Sequence, residues 1–466
     1  MDKSLNKRID EFKEEIIRVA QELIRVKSIE DKPEEGMPFG RGVNEALETA
    51  LEAGNILGFK TKNVDGYAGH IEIGDGEEIM GILCHLDVVP EGTSWDHAPY
   101  GAEIYNNKIY GRGSIDNKGP IAAALYAMKA VIDCGFKLNK RVRLILGTDE
   151  ESGWEGLEYY LEKEKTPDFA FSPDAEFPVI HAEKGIVTFK LSANFNDRKN
   201  VIEYIKGGNA PNMVPDYCEV LLSKDNFEII EKEFHEFIKD TGYSMEKHAV
   251  ENGVVIRSQG KSAHGSLPGD GHNAISQLMV FLNKLNIING DVKEFISFYD
   301  EKIGMDYHGE KIGCALEDDI SGKLTFNVGM IDVTQDSGEF VVNIRYPIKY
   351  TKDDVISKIK EEMKKSDIHF ELEVDEHYME PLYVDKKDKL VQNLMKVYRD
   401  LTGDKSEPIA IGGGTYARAV EKAVAFGPLF PGQEELAHQR NEYIGIKELI
   451  LNAKIYANAI IELAAE

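Results

Sequence analysis

The sequence predicts an α/β protein, with a mixed sheet between helices and a second, α+β domain inserted into it. Three observations carry that expectation. Short apolar strands alternate with helical patterns from the N-terminus to about Asp174, which implies a sheet with helices on its faces. Near Gly185 the character changes to amphipathic and hydrophobic strands separated by dense turn signals. Near Lys389 helical patterning returns. A chain of 466 residues exceeds one core, so more than one domain is expected. The predicted division is 1–183 and 380–466 for the first domain and 184–379 for the insert.

Each element follows from local pattern. Ile9, Phe12, Ile16, Val19 and Leu23 recur at helical period, so Met1 to Arg25 reads as one amphipathic helix and not as a signal peptide. A second helix runs from about Asn44 to Leu57, ended by Gly58. Strands are expected near Gly69–Ile73 and Ile79–Leu83. Pro120–Ile132 is an Ala-rich helix with Pro in its first turn and Gly135 just past its end. Strand Arg141–Leu146 and helix Trp154–Glu162 complete the alternation. In the insert, strands are predicted at Ile186–Asn194, Val254–Ser258, Lys323–Ile331 and Glu339–Tyr346, with helices near Asn273–Leu285 and Asp353–Lys365. The chain then gives helix Lys389–Leu401, a Gly412-Gly413-Gly414 loop, strand Ala423–Phe426 and a last helix Lys447–Leu463.

Composition excludes several classes. A net charge of −27 disfavours nucleic acid and anionic membrane surfaces, both of which reward basic patches. No stretch approaches the ~18 apolar residues of a membrane span. Cys84, Cys134, Cys218 and Cys314 lie far apart without C-x-x-C spacing, so unpaired thiols in a reducing compartment are expected. A cytoplasmic protein fits all three points. Cys84 neighbours His85 on a strand and should face the opposite way, into the core.

The apolar strands run into side chains that bind metals. Ile82-Leu83-Cys84 leads to His85-Leu86-Asp87, Arg143-Leu144-Ile145-Leu146 to Asp149-Glu150-Glu151, and Phe169-Ala170-Phe171-Ser172 to Pro173-Asp174. Between the first two lies Gly111-Arg112-Gly113-Ser114-Ile115-Asp116-Asn117-Lys118-Gly119. Ligands of open α/β sheets gather at the carboxyl ends of strands, so these residues should converge in one crevice. Histidine with several carboxylates and no cysteine suits zinc, manganese or cobalt. A metal-dependent hydrolase is the reading this supports.

Taken singly, each residue also has an ordinary explanation. Asp87 can orient His85 by accepting its second ring N–H, but H-x-D pairs are common. Asp116 can bridge two cations or simply N-cap the helix near Pro120. Glu150 and Glu151 repel one another unless a cation or shared proton compensates, yet an exposed acidic turn would look the same. Asp174 and the distant His438 are unremarkable turn and loop residues by themselves. It is their joint order and spacing that makes coincidence improbable.

Over essentially its whole length the chain resembles the M20 family of co-catalytic metallopeptidases, most closely the PepV-like dipeptidases. The resemblance rests on Gly81–Pro90, Tyr110–Gly119, Asp149–Gly153, Ser172–Ala175 and the late His438. It implies a phosphorylase/hydrolase-like catalytic domain with an inserted lid of ferredoxin-like halves. It implies two divalent metal ions per chain, Zn2+ first, with Mn2+ or Co2+ as alternatives. His85 and Asp174 would bind one ion and Glu151 and His438 the other, with Asp116 bridging. Glu150 would be the general base acting on a metal-bridging water, and Asp87 the partner of His85. Asp rather than Glu at 174 implies action next to a free amino terminus.

The insert has matching pieces. Asn209–Pro215 resembles a lid motif whose Asn contacts substrate, here Asn212. Lys261–Gly265 resembles the segment whose His, here His264, stabilises the oxyanion. Arg345 is a candidate fork for a substrate carboxylate, or a salt-bridge residue. Gly413, Gly414 and Thr415, with Arg418 assisting, offer backbone N–H groups at a helix start suited to a carboxylate. The implied protein is a monomeric dipeptidase acting on small peptides. Its rivals are an N-acyl amino acid deacylase or desuccinylase using the same centre and a non-catalytic binding protein on the same fold.

Overall fold

The computed structural model describes residues 3–196, 201–224 and 227–465. Met1 and Asp2, where the first predicted helix begins, lie outside the described residues. The chain forms two compact units, one of Met1–Ala182, Tyr383–Ile409 and Thr415–Glu466, the other of Glu183–Leu382 and Ala410–Gly414.

The first unit is built on a mixed sheet. Its strands lie in the order Lys60–Val64, Ala68–Ile73, Arg141–Gly147, Ile79–His85, Phe169–Ser172, Ala423–Ala425 and then Ile180–Glu183. The four from Arg141–Gly147 to Ala423–Ala425 run parallel, and the strands flanking them are antiparallel. Ile79–His85 is buried along its whole length, as a central parallel strand covered on both faces must be. Cys84 faces the core with no exposed surface.

Helices Gly119–Asp133 and Ile446–Ala464 pack in the same core. The first is apolar nearly all round, the mark of a buried helix, and ends at Gly135 with φ of +77°. The N-terminal segment is two helices, Lys3–Glu11 and Lys13–Arg25, where one was predicted. The break is at Phe12, whose φ and ψ of −84° and 3° fall outside the helical well. The apolar stripe survives the break, because Leu5, Ile9, Phe12, Ile16, Val19 and Leu23 are all buried.

The second unit carries one continuous eight-stranded sheet. Its order is Met245–Val250, Gly253–Gln259, Tyr217–Ser223, Ile202–Gly207, Thr325–Val333, Ser337–Tyr346, Gly185–Asn194 and Glu371–Val374, antiparallel throughout. Gly185–Asn194 alternates buried and half-buried residues, so one face meets the core. Helices Phe227–Thr241, Ala274–Lys284, Asp291–Lys302 and Lys352–Met363 pack into that core. Phe227–Thr241 and Asp291–Lys302 were not predicted. The signal was present in the first, where Ile230, Phe234 and Phe237 recur at helical spacing and are buried.

Candidate metal centre

Sheet register places the ends of the apolar strands side by side. His85 pairs with Gly147, Ile82 with Phe171, and Ser172 with Ala425. Three strands therefore release their next residues at one edge: Leu86-Asp87, Thr148–Glu151 and Pro173-Asp174. The fourth contribution is the loop Gly111–Lys118, which turns at Gly113 through a left-handed φ of +83° that a side chain would resist. The loop closes in a π-helical turn, Ser114–Lys118, where Asp116 departs from helical angles at φ −125° and ψ 85°. Asp116 does not cap the following helix, whose N-cap is Lys118 and which has no side-chain cap bond.

Two groups of side chains could hold cations, and Asp116 belongs to both. One is His85, Asp116 and Asp174; the other is Asp116, Glu151 and His438, and within each the ligand atoms lie within 4.8 Å of one another. Asp116 Oδ1 is 2.8 Å from His85 Nε2, while Oδ2 is 3.2 Å from His438 Nε2. Asp174 Oδ1 is 3.5 Å from His85 Nε2, and the Glu151 oxygens are 3.0 and 2.9 Å from His438 Nε2. His438 reaches the group from a loop where its own φ is +64°.

His85 Nδ1 donates to the Asp87 backbone carbonyl at 3.0 Å, with Asp87 Oδ1 farther off at 3.5 Å. This bond leaves the Nε2 lone pair facing the carboxylates, the tautomer a metal ligand needs. Asp87 thus orients the ring through its main chain, and its Oδ2 accepts the Glu151 backbone N–H at 2.9 Å.

The electrostatics are those of crowded, buried charges. Burial, then the charge of Asp174, pushes Glu150 well above the ordinary carboxylate range. Burial, then Asp116, pushes Glu151 up to about 7, and burial raises Asp174 as well. Burial opposes charge on His85, but Asp174, Asp116 and Asp87 outweigh it and hold its pKa well above the usual value. His438 is likewise raised, to about 11; burial opposes this, and its bonds to Asp116 and Glu151 prevail. Asp116 goes the other way: burial would raise it, but its bonds to His438 and His85 hold it well below the ordinary range. Four carboxylates crowded in this way favour added positive charge. The donor set fits two divalent cations, which would neutralise the four carboxylates Asp116, Glu150, Glu151 and Asp174.

Supporting residues that the sequence reading left without a role hold this geometry. Glu442 is fully buried. Its Oε1 accepts the backbone N–H of Ile115 at 3.0 Å and of Asp116 at 3.3 Å; its Oε2 accepts Gly113 N–H at 3.0 Å and Arg112 Nη1 at 2.8 Å. Arg112 also donates to the carbonyls of His438 and Gln439, both at 3.2 Å. Asn117 Nδ2 donates to Asp174 Oδ1 at 3.0 Å, and Trp154 Nε1 to the Glu150 carbonyl at 2.9 Å. The sequence signal was their place inside or beside motifs already singled out: Arg112 and Asn117 lie within Tyr110–Gly119, Trp154 follows Asp149–Gly153, and Glu442 lies four residues after His438.

The remaining candidates belong to neither ligand group. Asn212 and His264 are exposed on adjoining segments of the second unit, where Met213 and His264 form an isolated antiparallel bridge. Arg345 is buried, its Nε on Asn343 Oδ1 at 2.9 Å and its Nη1 on the Gly412 carbonyl at 3.0 Å. The glycine run divides between the units, Gly413 and Gly414 clustering with the second and Thr415 and Arg418 with the first. The expected helix start is a four-residue 3₁₀ turn, Tyr416–Ala419, and Thr415 Oγ1 accepts the Ala417 N–H at 3.2 Å.

Comparison with known proteins agrees with this arrangement. The model of Peptidase family M20/M25/M40 matches residues 81–462. The chain is 43% identical over 460 residues to "Putative dipeptidase YtjP" of Bacillus subtilis (strain 168), covering 97% of this chain and 98% of that one. Among solved structures, aminopeptidase PepT from Bacillus cereus ATCC 10987 has a TM-score of 0.59 at 16% identity, covering 97% of this chain and 98% of that one. Human carnosine dipeptidase 1 has a TM-score of 0.56 at 17% identity and covers 98% of each chain. At those identities the two structures speak for the fold. The full-length match to the family model and to the curated relative goes further: this chain belongs to peptidase family M20/M25/M40.

Proposed function

We propose that the protein is a two-metal dipeptidase that cleaves short peptides beside a free amino terminus. The observation that carries this reading is the division of Asp116, each of whose oxygens faces a different imidazole. A carboxylate so placed is a bridge between two cation sites, one completed by His85 and Asp174 and the other by Glu151 and His438. When bound there, two divalent cations supply Lewis-acid charge and lower the pKa of water toward neutrality. Zn2+ is the preferred pair, with Mn2+ or Co2+ compatible with the same ligands.

Glu150 stands beside this group without belonging to either ligand set. Its raised proton affinity suits a general base that takes a proton from the attacking water and returns it to the leaving amine. Asp87 keeps the His85 lone pair aimed, and Glu442 with Arg112 holds the two loops that carry Asp116 and His438. His264 is the donor to the developing oxyanion. Asn212, Arg345, the Gly413-Gly414-Thr415 run and Arg418 serve substrate recognition. On this reading the enzyme is a cytoplasmic monomer; no helix among the described residues is long and apolar enough to cross a membrane.

The test is a substrate panel on metal-free protein refilled with zinc or manganese. Dipeptides with free amino termini should be hydrolysed, and blocking that amine should abolish turnover. Exclusive turnover of N-acyl amino acids would replace this reading with a deacylase.

A further inference from the structure

Two groups of Ser266 converge on one nitrogen of His264. The Ser266 hydroxyl lies 2.6 Å from His264 Nδ1, and the Ser266 backbone N–H donates to the same atom at 3.3 Å. A backbone amide can only donate, so Nδ1 must present its lone pair. The proton of the neutral ring then sits on Nε2. The opposite tautomer would set an N–H against an N–H.

Ser266 is itself braced. A Cβ on Gly412 would stand 2.8 Å from the Ser266 Cβ, closer than such atoms approach, so the serine holds this position only because residue 412 has no side chain. The Gly412 carbonyl in turn accepts Arg345 Nη1, and Arg345 Nε is fixed by Asn343 Oδ1. Ser266, Gly412, Asn343 and Arg345 all belong to the second unit, and Arg345 is only 5% exposed.

We propose that Ser266 is a positioning residue that locks His264 as the Nε2–H tautomer, with Gly412 and Arg345 holding the serine in place. The proposal rests on the reading of His264 as the oxyanion donor. A donor whose proton is already fixed needs no reorganisation when charge develops, whereas the Nδ1–H tautomer would turn a lone pair on Nε2 toward an anion. An imidazole held in the wrong tautomer loses its catalytic use even where its position is unchanged. The proposal also gives Gly412 a role that requires no contact with substrate, and gives Arg345 a supporting role beside substrate recognition.

The experiment uses metal-loaded, full-length enzyme labelled with 15N-histidine, with His264→Gln identifying the signal. Two-bond nitrogen–proton correlations should show the Nε2–H form in the parent and a mixture of tautomers in Ser266→Ala. In that variant kcat should fall about tenfold with KM unchanged, since the backbone N–H still favours the right form. Ser266→Thr should restore both readouts. Gly412→Ala, by displacing the serine, should reproduce the Ser266→Ala pattern. An Nδ1–H tautomer in the parent, or Ser266→Ala leaving tautomer and kcat unaltered, would overturn the proposal. Full kcat in His264→Gln would instead overturn the donor reading and the catalytic half of the proposal with it, while the parent spectrum reports the tautomer independently.

Discussion

Glu442 and Asp116 are joined carboxylate to main chain, the Asp116 backbone N–H lying 3.3 Å from Glu442 Oε1. Through its other oxygen Glu442 binds Arg112, and Arg112 holds the carbonyl of His438. One buried ion pair thus fixes two loops that bring candidate ligands, Asp116 and His438, together from distant parts of the sequence. Such a pair contributes little to net stability but is costly to break from one side.

Glu442→Gln should therefore weaken metal binding as well as the fold, since it leaves Arg112 buried without its carboxylate. An amide would turn N–H groups toward the donors that the carboxylate now accepts. Loss of an outer residue of this kind commonly lowers metal affinity by about 10- to 100-fold. Titration of metal-free protein with zinc should show that loss, and Arg112→Lys should show a similar one because the ammonium cannot span both partners.

Metal stoichiometry separates the bridge from the terminal ligands. Asp116→Asn should lower retention of both ions, since both candidate groups contain that residue. His438→Asn and Asp174→Asn should each affect one. Metal analysis after dialysis checks this, and equal losses in all three variants would contradict a shared carboxylate.

Glu150→Gln should keep both metals and lose catalysis. General-base assistance contributes about 10²- to 10⁴-fold, and kcat should fall by at least that much. A Glu150→Gln enzyme with normal kcat would remove it from the mechanism.

A fourth prediction concerns stability away from the centre. His70 is buried, with Nδ1 2.9 Å from the Tyr160 hydroxyl, and burial followed by the charge of Arg143 lowers its pKa to about 4. The unfolded chain takes up that proton near pH 6.5, so the contribution is full above 6.5 and is lost as pH falls toward 4. The expected loss is about 2 kcal/mol by pH 5 and about 3 kcal/mol below pH 4. Urea unfolding at pH 7.5 and pH 5 should show a smaller acid destabilisation in His70→Gln than in the parent.

Strand ends and motif order were readable because they are local. An apolar run such as Ile79–His85 announces a buried strand, and residues that follow such a run emerge at its carboxyl end whatever the rest of the chain does. The break at Phe12 was not readable, because the apolar stripe continues through it unchanged. Nor could pattern reveal that the His85 Nδ1–H would bond the main chain of Asp87, with the Asp87 carboxylate serving Glu151. Backbone and side-chain oxygens of one residue are equivalent to any sequence rule.

The sequence by itself singled out the candidate residues and the strands that present most of them. Only the tertiary structure decided that Asp116 faces both His85 and His438. A carboxylate in a glycine-rich loop before a helix can cap that helix or bridge two cations, and both choices are consistent with the same local letters. The π-helical turn points Asp116 away from the helix, and Glu442, more than three hundred residues later, holds the turn by its backbone. The choice rests on hydrogen bonds between segments remote in sequence, and these exist only once the chain has folded.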